Sequence, residues 1–282
     1  MRKKFEELEF KDGFLFAAAM ADEELCRMVL ERILEIPIRA VRVQSENTFL
    51  FNSDYRGIRL DVFADDGAGT VFDVEMQTVN RGNLPKRSRL YQAHMDVGAL
   101  KPGDSFDALP ESFIIFLCTF DPFGEGRFRY TFRAQCLESG GSLEDGACRV
   151  FLNTAGARED EVPPELVQFL RYVGDGNGAG NFPDDPLIYR IQERIAGLKK
   201  SRRMEERYML FAEMLGEERK EGKEEGREEG KKEGKKLGEK RILELLEKME
   251  EAGLHPDISR FKREPEYLEK MLEKFHLADF EQ

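Results

Sequence analysis

A nearly unbroken apolar run, Phe113-Ile114-Ile115-Phe116-Leu117-Cys118-Thr119-Phe120, ends at Asp121-Pro122 and limits this chain more than any other stretch. It is far too short to cross a bilayer. As a strand it is apolar on both faces, so it belongs inside a sheet that is covered on both sides. The covering layers have to be helices supplied by the neighbouring sequence.

Those helices and the remaining strands are legible on either side. Residues 11–20 are rich in Phe and Ala. A second helical run opens at Asp22, a suitable N-cap, and sets Leu25, Val29 and Ile33 on one face before Ile36-Pro37-Ile38 breaks it. Strand patterns follow at 41–51, 58–65 and 70–77, and Asp66-Gly67-Ala68-Gly69 joins the last two as a hairpin. Over 84–100, Leu90, Ala93, Val97 and Leu100 recur at helical spacing, with Pro85 in the first turn. Residues 127–137 alternate, with Phe128, Tyr130, Phe132 and Ala134 on one face and Arg127, Arg129 and Arg133 on the other. A short strand is expected at 149–153. The order helix, three strands, helix, further strands predicts an α/β fold, a mixed central sheet flanked by helices.

Beyond this core the character changes. A helix is expected at 163–172, a loop at 174–181 and one long helix from 187 to beyond 210. Charged residues, 35 % of the chain, concentrate after Gly216, where Gly222, Gly226, Gly230, Gly234 and Gly238 recur every four residues among Lys and Glu. Each glycine costs a helix about 1 kcal/mol relative to alanine. Either a close helix–helix contact offsets that cost, or the segment is a tether or a solvated helix. From 242 the sequence is helical again, interrupted near Gly253 and Pro256. The expected division is a core at 1–160, a helical part packed on it at 161–215, the Gly/Glu/Lys segment at 216–241 and a helical tail at 242–282. The C-terminal helical region is the place for a coiled-coil contact between copies.

The formal charge of −12 is opposite to that of most nucleic-acid-binding surfaces, so any such contact needs a local basic patch. Cys26, Cys118, Cys136 and Cys148 lack metal-ligand spacing and a dense disulfide pattern, which fits reduced thiols. Met1-Arg2-Lys3-Lys4 has no apolar segment behind it. The reading is a cytoplasmic protein with no membrane span.

The chemistry lies in the hairpin. Phe72, Val74 and Met76 form one strand face, so Asp73, Glu75 and Gln77 share the other. On the preceding strand Ile58, Leu60 and Val62 are apolar, leaving Arg59 and Asp61 opposite them. A hairpin centred near Ala68 puts Asp61 across from Glu75 and Arg59 across from Gln77. Cβ atoms of such pairs are roughly 4.5–5.5 Å apart, where like charges repel. Two carboxylates that close need a shared proton or a cation. A hard divalent ion bound by Asp61, Glu75 and the Met76 backbone carbonyl is the simplest solution.

Asp61 followed by Glu75-Met76-Gln77 resembles the PD-(D/E)xK nuclease signature. The wider context is similar to the Rpn recombination-promoting nucleases, also described as PD-(D/E)xK nuclease family transposases. It includes Lys11-Asp12-Gly13-Phe14, Ile58-Arg59-Leu60-Asp61-Val62, Leu84-Pro85-Lys86-Arg87-Ser88-Arg89-Leu90-Tyr91-Gln92, the run from Phe116 to Phe123, and Phe151-Leu152-Asn153-Thr154. Together these span roughly 10–215. The resemblance implies a restriction-endonuclease-like core and a Mg²⁺-dependent DNA endonuclease, with Mn²⁺ as substitute, serving recombination, mobile elements or defence. It makes Asp61, Glu75 and Gln77 the catalytic set. Gln77 stands where lysine is usual, and it offers hydrogen bonds without charge. A non-catalytic binding or assembly module on the same scaffold is the alternative, and the metal chemistry alone does not select DNA over RNA.

Other residues carry two readings each. Arg87, Arg89, Tyr91 and Gln92 either contact nucleic-acid phosphates and brace the metal site, or form a solvated helix face. The arginine face from Arg127 tracks phosphates or is plain sheet surface. Asp12 caps a helix or adds an acid near the site, and His94 is read as packing.

Overall fold

The computed structural model describes residues 3–45, 48–49, 58–59, 61–175, 185–255 and 257–277. Among them Asp22 accepts a hydrogen bond from Leu25 N at 3.0 Å and starts helix α2, Glu23–Leu34. Helix α1, Gly13–Met20, precedes it. Together they bury Leu15, Phe16, Leu25, Val29 and Ile33.

Six strands form the main sheet: β1 Arg42–Ser45, β4 Val62–Asp65, β5 Thr70–Gln77, β6 Glu111–Cys118, β7 Arg129–Phe132 and β8 Ala147–Asn153, in the order β1-β4-β5-β6-β8-β7. The turn between β4 and β5 is fixed by Asp66, whose carboxylate accepts from Ala68 N and Thr70 N, and by Gly67 and Gly69 at positive φ. β5 and β6 run parallel, which requires a crossover, and helix α3, Leu84–Ala99, provides it. The apolar run supplies β6 up to Cys118, where Phe113–Cys118 is bracketed by β5 and β8 and buried on both faces as its composition demands; Thr119 and Phe120 lie past the strand end.

On one face, α3 covers Ile114, Phe116, Cys118 and Phe151 with Leu84, Tyr91 and Met95. The other sheet face carries Phe72, Val74, Phe113, Ile115 and Leu117, all buried, and α1 packs against β1 and β5 there. Helices α4, Pro164–Asp175, and α5, Pro186–Lys199, join α1 and α2. Asp185 caps α5 through Leu187 N and Ile188 N. The same carboxylate takes two hydrogen bonds from Arg32 of α2, at 2.6 and 3.1 Å.

Four expectations are corrected. The strand expected at 41–51 is two pieces, β1 and β2 Thr48–Phe49; β2 pairs with β3 Ile58–Arg59 as a separate two-stranded sheet, so Arg59 lies across from Thr48 and not Gln77. The stripe Leu90, Ala93, Val97 faces outward on α3, and the buried positions are Leu84, Ser88, Tyr91, Gln92 and Met95. Polar Ser88 and Gln92 hide that face from an apolar count. The helix expected from 187 to beyond 210 stops at Lys199 and restarts at Arg202, with the Ser201 carbonyl accepting Met204 N and Glu205 N. The alternating strand from 127 is only four residues long. The loop expected at 174–181 lies, beyond Asp175, outside the described residues.

The chain divides into two compact units, 1–208 and 209–282. Helix α6 runs Arg202–Glu251 and ends in a Schellman motif. Gly253 sits at φ 70, with Gly253 N to Glu250 O and Leu254 N to Met249 O. Helices α7, Ile258–Arg263, and α8, Pro265–Lys274, follow, and Leu245, Met249 and Phe261 form a small core with Tyr267, Leu268 and Met271. A Cβ placed on Gly222, Gly226, Gly230, Gly234 or Gly238 meets nothing within 4 Å, so among the described residues these glycines serve no close packing.

Candidate active site

The register Val62↔Val74 of the hairpin carries Asp61 to the position opposite Glu75. There each carboxylate accepts a backbone N–H from the opposite segment. Asp61 N donates to Glu75 Oε1 at 2.9 Å, and Met76 N donates to Asp61 Oδ2 at 3.2 Å. In an internal strand the N–H and C=O of one residue point to the same neighbour, so the Met76 carbonyl lies on the Asp61 edge of β5.

Glu75 is 1 % exposed. Its Oε2 accepts from Arg87 Nη2 at 2.7 Å and from Gln77 Nε2 at 3.3 Å. Gln77 Oε1 in turn accepts from Arg87 Nη1 at 2.8 Å, and Arg87 Nε donates to the Tyr91 hydroxyl at 2.7 Å. Burial raises the Glu75 carboxyl above the ordinary range and the Asp61 charge adds to this, while the Asp61 N–H and Arg87 pull the other way. Burial also holds the Tyr91 hydroxyl up, so it remains a phenol near neutral pH.

Asp73, two residues before Glu75 on the same face, is fully buried, and neither of its carboxylate oxygens has a hydrogen-bond partner among the described residues. Burial, with the Glu75 and Asp61 charges nearby, raises its pKa well above the usual value. Sequence reading placed Asp73 on this face but gave it no role. The missing information was the helix lying over it.

The remaining candidates separate. Arg87 reaches into the site and Arg89 is exposed. Tyr91 and Gln92, expected on a phosphate-contacting face, are instead 7 % and 6 % exposed beneath α3. Gln92 Nε2 bonds Ser112 Oγ at 2.6 Å and Asp96 Oδ1 at 2.8 Å. The four therefore form no common surface. Arg127 pairs with Glu125 and Glu161, Arg129 with Glu35, and Arg133 lies over the Phe113 ring, so this row is tied to protein groups. Asp12 makes no capping bond to α1; it accepts from Glu9 N and from Lys3 Nζ. His94 Nδ1 lies 2.9 Å from the Leu90 carbonyl, one turn back on α3. All four cysteines are free thiols, three of them buried.

Residues 6–159 match the family model of the PD-(D/E)XK nuclease family transposases. The chain belongs to that family. No curated protein and no solved structure matches it. Six strands in one mixed sheet with helices on both sides agree with a PD-(D/E)XK nuclease-like α/β core, and family membership brings a nuclease-like function acting on nucleic acid. The PD-(D/E)XK match includes Asp61, Glu75-Met76-Gln77 and α3.

PD-(D/E)XK nucleases generally use divalent metals, and the donor set here can be tested against that. Two carboxylates and a carbonyl are hard oxygen donors, the kind that Mg²⁺ and Mn²⁺ take alongside water and phosphate. The residues fit. Among the described residues no group of three or more His, Cys, Asp or Glu side chains is arranged to hold a metal. No helix among the described residues is long and apolar enough to cross a membrane.

Proposed function

We propose that this chain hydrolyses DNA phosphodiester bonds in a divalent-metal-dependent reaction, with Mg²⁺ as the resident ion and Mn²⁺ as a substitute. The clasp of Asp61 with Glu75-Met76, side chain to backbone in both directions, carries the reading. Two acids are held against each other by backbone N–H groups at 2.9 and 3.2 Å, an arrangement that a bound cation relieves. A hard divalent ion there supplies positive charge to the phosphoryl oxygens and makes water a better nucleophile. Asp61, Glu75 and the Met76 carbonyl would hold it. Gln77 fixes the orientation of Glu75 through its amide and, having no charge, leaves charge stabilisation to other groups.

The substrate class is supported by a local charge pattern. From Thr78 to Met95 the chain has four cations, Arg81, Lys86, Arg87 and Arg89, and no acid, although its net charge is −12. Arg81, Lys86 and Arg89 are exposed around the start of α3, next to the clasp. Such a patch is where a phosphate backbone can approach an acidic molecule.

Purified chain should nick supercoiled plasmid with Mg²⁺ or Mn²⁺ and not with chelator. Asp61→Asn and Glu75→Gln should each lower the rate by at least about 100-fold without unfolding the protein. Nicking that persists undiminished in both variants rules the reading out. A second reading, a non-catalytic assembly module, is favoured by the Arg87–Glu75 ion pair, which neutralises Glu75 without metal. It predicts no measurable Mn²⁺ binding by calorimetry.

A further inference from the structure

We propose that Arg87 supplies the positive charge that position 77 lacks, acting on the substrate phosphate from helix α3; this rests on the metal-dependent reading above. The guanidinium is fixed from three directions. Its two Nη atoms span Glu75 Oε2 and Gln77 Oε1, and its Nε donates to Tyr91. Its carbon lies 5.1 Å from the centre of the Tyr91 ring and 5.7 Å from that of Phe116. Three of about five N–H groups are thereby used, which leaves the others for a phosphate oxygen. The side chain is 28 % exposed, so the cation is not sealed inside the core.

A cation hydrogen-bonded to a metal-ligating carboxylate weakens the attraction of that site for a divalent ion. A site that only stored metal would gain nothing from it. In phosphoryl transfer, negative charge spreads over the phosphoryl oxygens, and an arginine beside them stabilises that charge with a planar fork. Gln77 contributes the other half of the arrangement. Its carbonyl oxygen holds one arm of Arg87 while its amide N–H holds Glu75, so an uncharged residue at this position aligns a charged one.

Bracing and charge supply predict opposite metal affinities. In the full-length chain, Arg87→Met should bind Mn²⁺ about fivefold more tightly by calorimetry, because an opposing charge is gone. The same variant should nick supercoiled plasmid about 100-fold more slowly. Adding Gln77→Lys to Arg87→Met should recover at least about tenfold of that loss, since the ammonium restores a cation from the strand. Arg87→Lys should keep the wild-type Mn²⁺ affinity and lose about tenfold in nicking, since one ammonium cannot span both partners. Weakened Mn²⁺ binding in Arg87→Met with an unchanged melting temperature would mean a brace and overturn the proposal. Wild-type nicking by Arg87→Met, or no recovery in the double variant, would overturn it equally. Should Arg87→Met fail to fold, Arg87→Lys decides, and unchanged nicking in that variant counts against the proposal. If the wild type binds Mn²⁺ and does not nick at all, the nuclease reading fails while the affinity comparison still judges Arg87.

Discussion

At the scale of single residues, Asp73 and Glu75 show how far environment separates two carboxyls on one strand face. Glu75 has three hydrogen-bonding neighbours, Asp61, Gln77 and Arg87, whereas both oxygens of Asp73 are buried and without a hydrogen-bond partner among the described residues. A buried, unsatisfied polar group costs about 1–3 kcal/mol. Asp73→Val should therefore raise the stability of the metal-free protein by about 1–2 kcal/mol, read as a higher urea midpoint at unchanged slope. A lower midpoint would mean that Asp73 has a structural partner. The Asp61–Glu75 opposition was legible because a hairpin centred on Ala68 sets the register by counting. Neither the burial of Asp73 nor the bonds of Arg87 could be counted that way. Both depend on which face of α3 lies on the sheet, and Ser88 and Gln92 disguise that face.

At the scale of elements, the ion pair of Arg32 and Asp185 ties helices on the far side of the sheet together. Asp185 is 7 % exposed, caps α5 and binds Arg32 of α2, and Arg32 also donates to the Glu165 carbonyl of α4. Burial acts to raise the Asp185 pKa, but the Arg32 hydrogen bond and charge and the two capping N–H groups outweigh it and hold it below the usual value. Its folded pKa is thus depressed, so its stabilisation is present above an unfolded pKa of about 3.9 and is lost as pH falls through the folded value. Asp185→Asn should cost about 3 kcal/mol at pH 7, and the gap to wild type should close as denaturation is followed below pH 3.9. A gap that stays constant down to pH 2 would show that the pair is not its source. Helix and strand types were readable from their periods, and the cap at Asp22 from its residue type. The break between α5 and α6 was not, since Lys200-Ser201 carries no proline or glycine to announce it.

At the scale of the molecule, an acidic chain carries a local basic stretch beside its clasped carboxylates and a 50-residue helix whose glycines have open space around them among the described residues. Alanine at Gly222, Gly226, Gly230, Gly234 and Gly238 should add about 0.5–1 kcal/mol of helix stability per site. The expected reading is a helical circular-dichroism signal that persists to higher temperature. A drop in melting temperature, together with loss of an oligomer by light scattering, would instead place those glycines in a contact between copies. The layered core was legible from the β6 run alone, because a strand apolar on both faces leaves few other ways to fold. The most direct test of the central claim is a Mn²⁺-soaked crystal measured for anomalous scattering. The account predicts one peak about 2.1 Å from an Asp61 carboxylate oxygen, a Glu75 carboxylate oxygen and the Met76 carbonyl. A clasp that remains empty at saturating Mn²⁺, with Arg87 still bonded to Glu75, would contradict it.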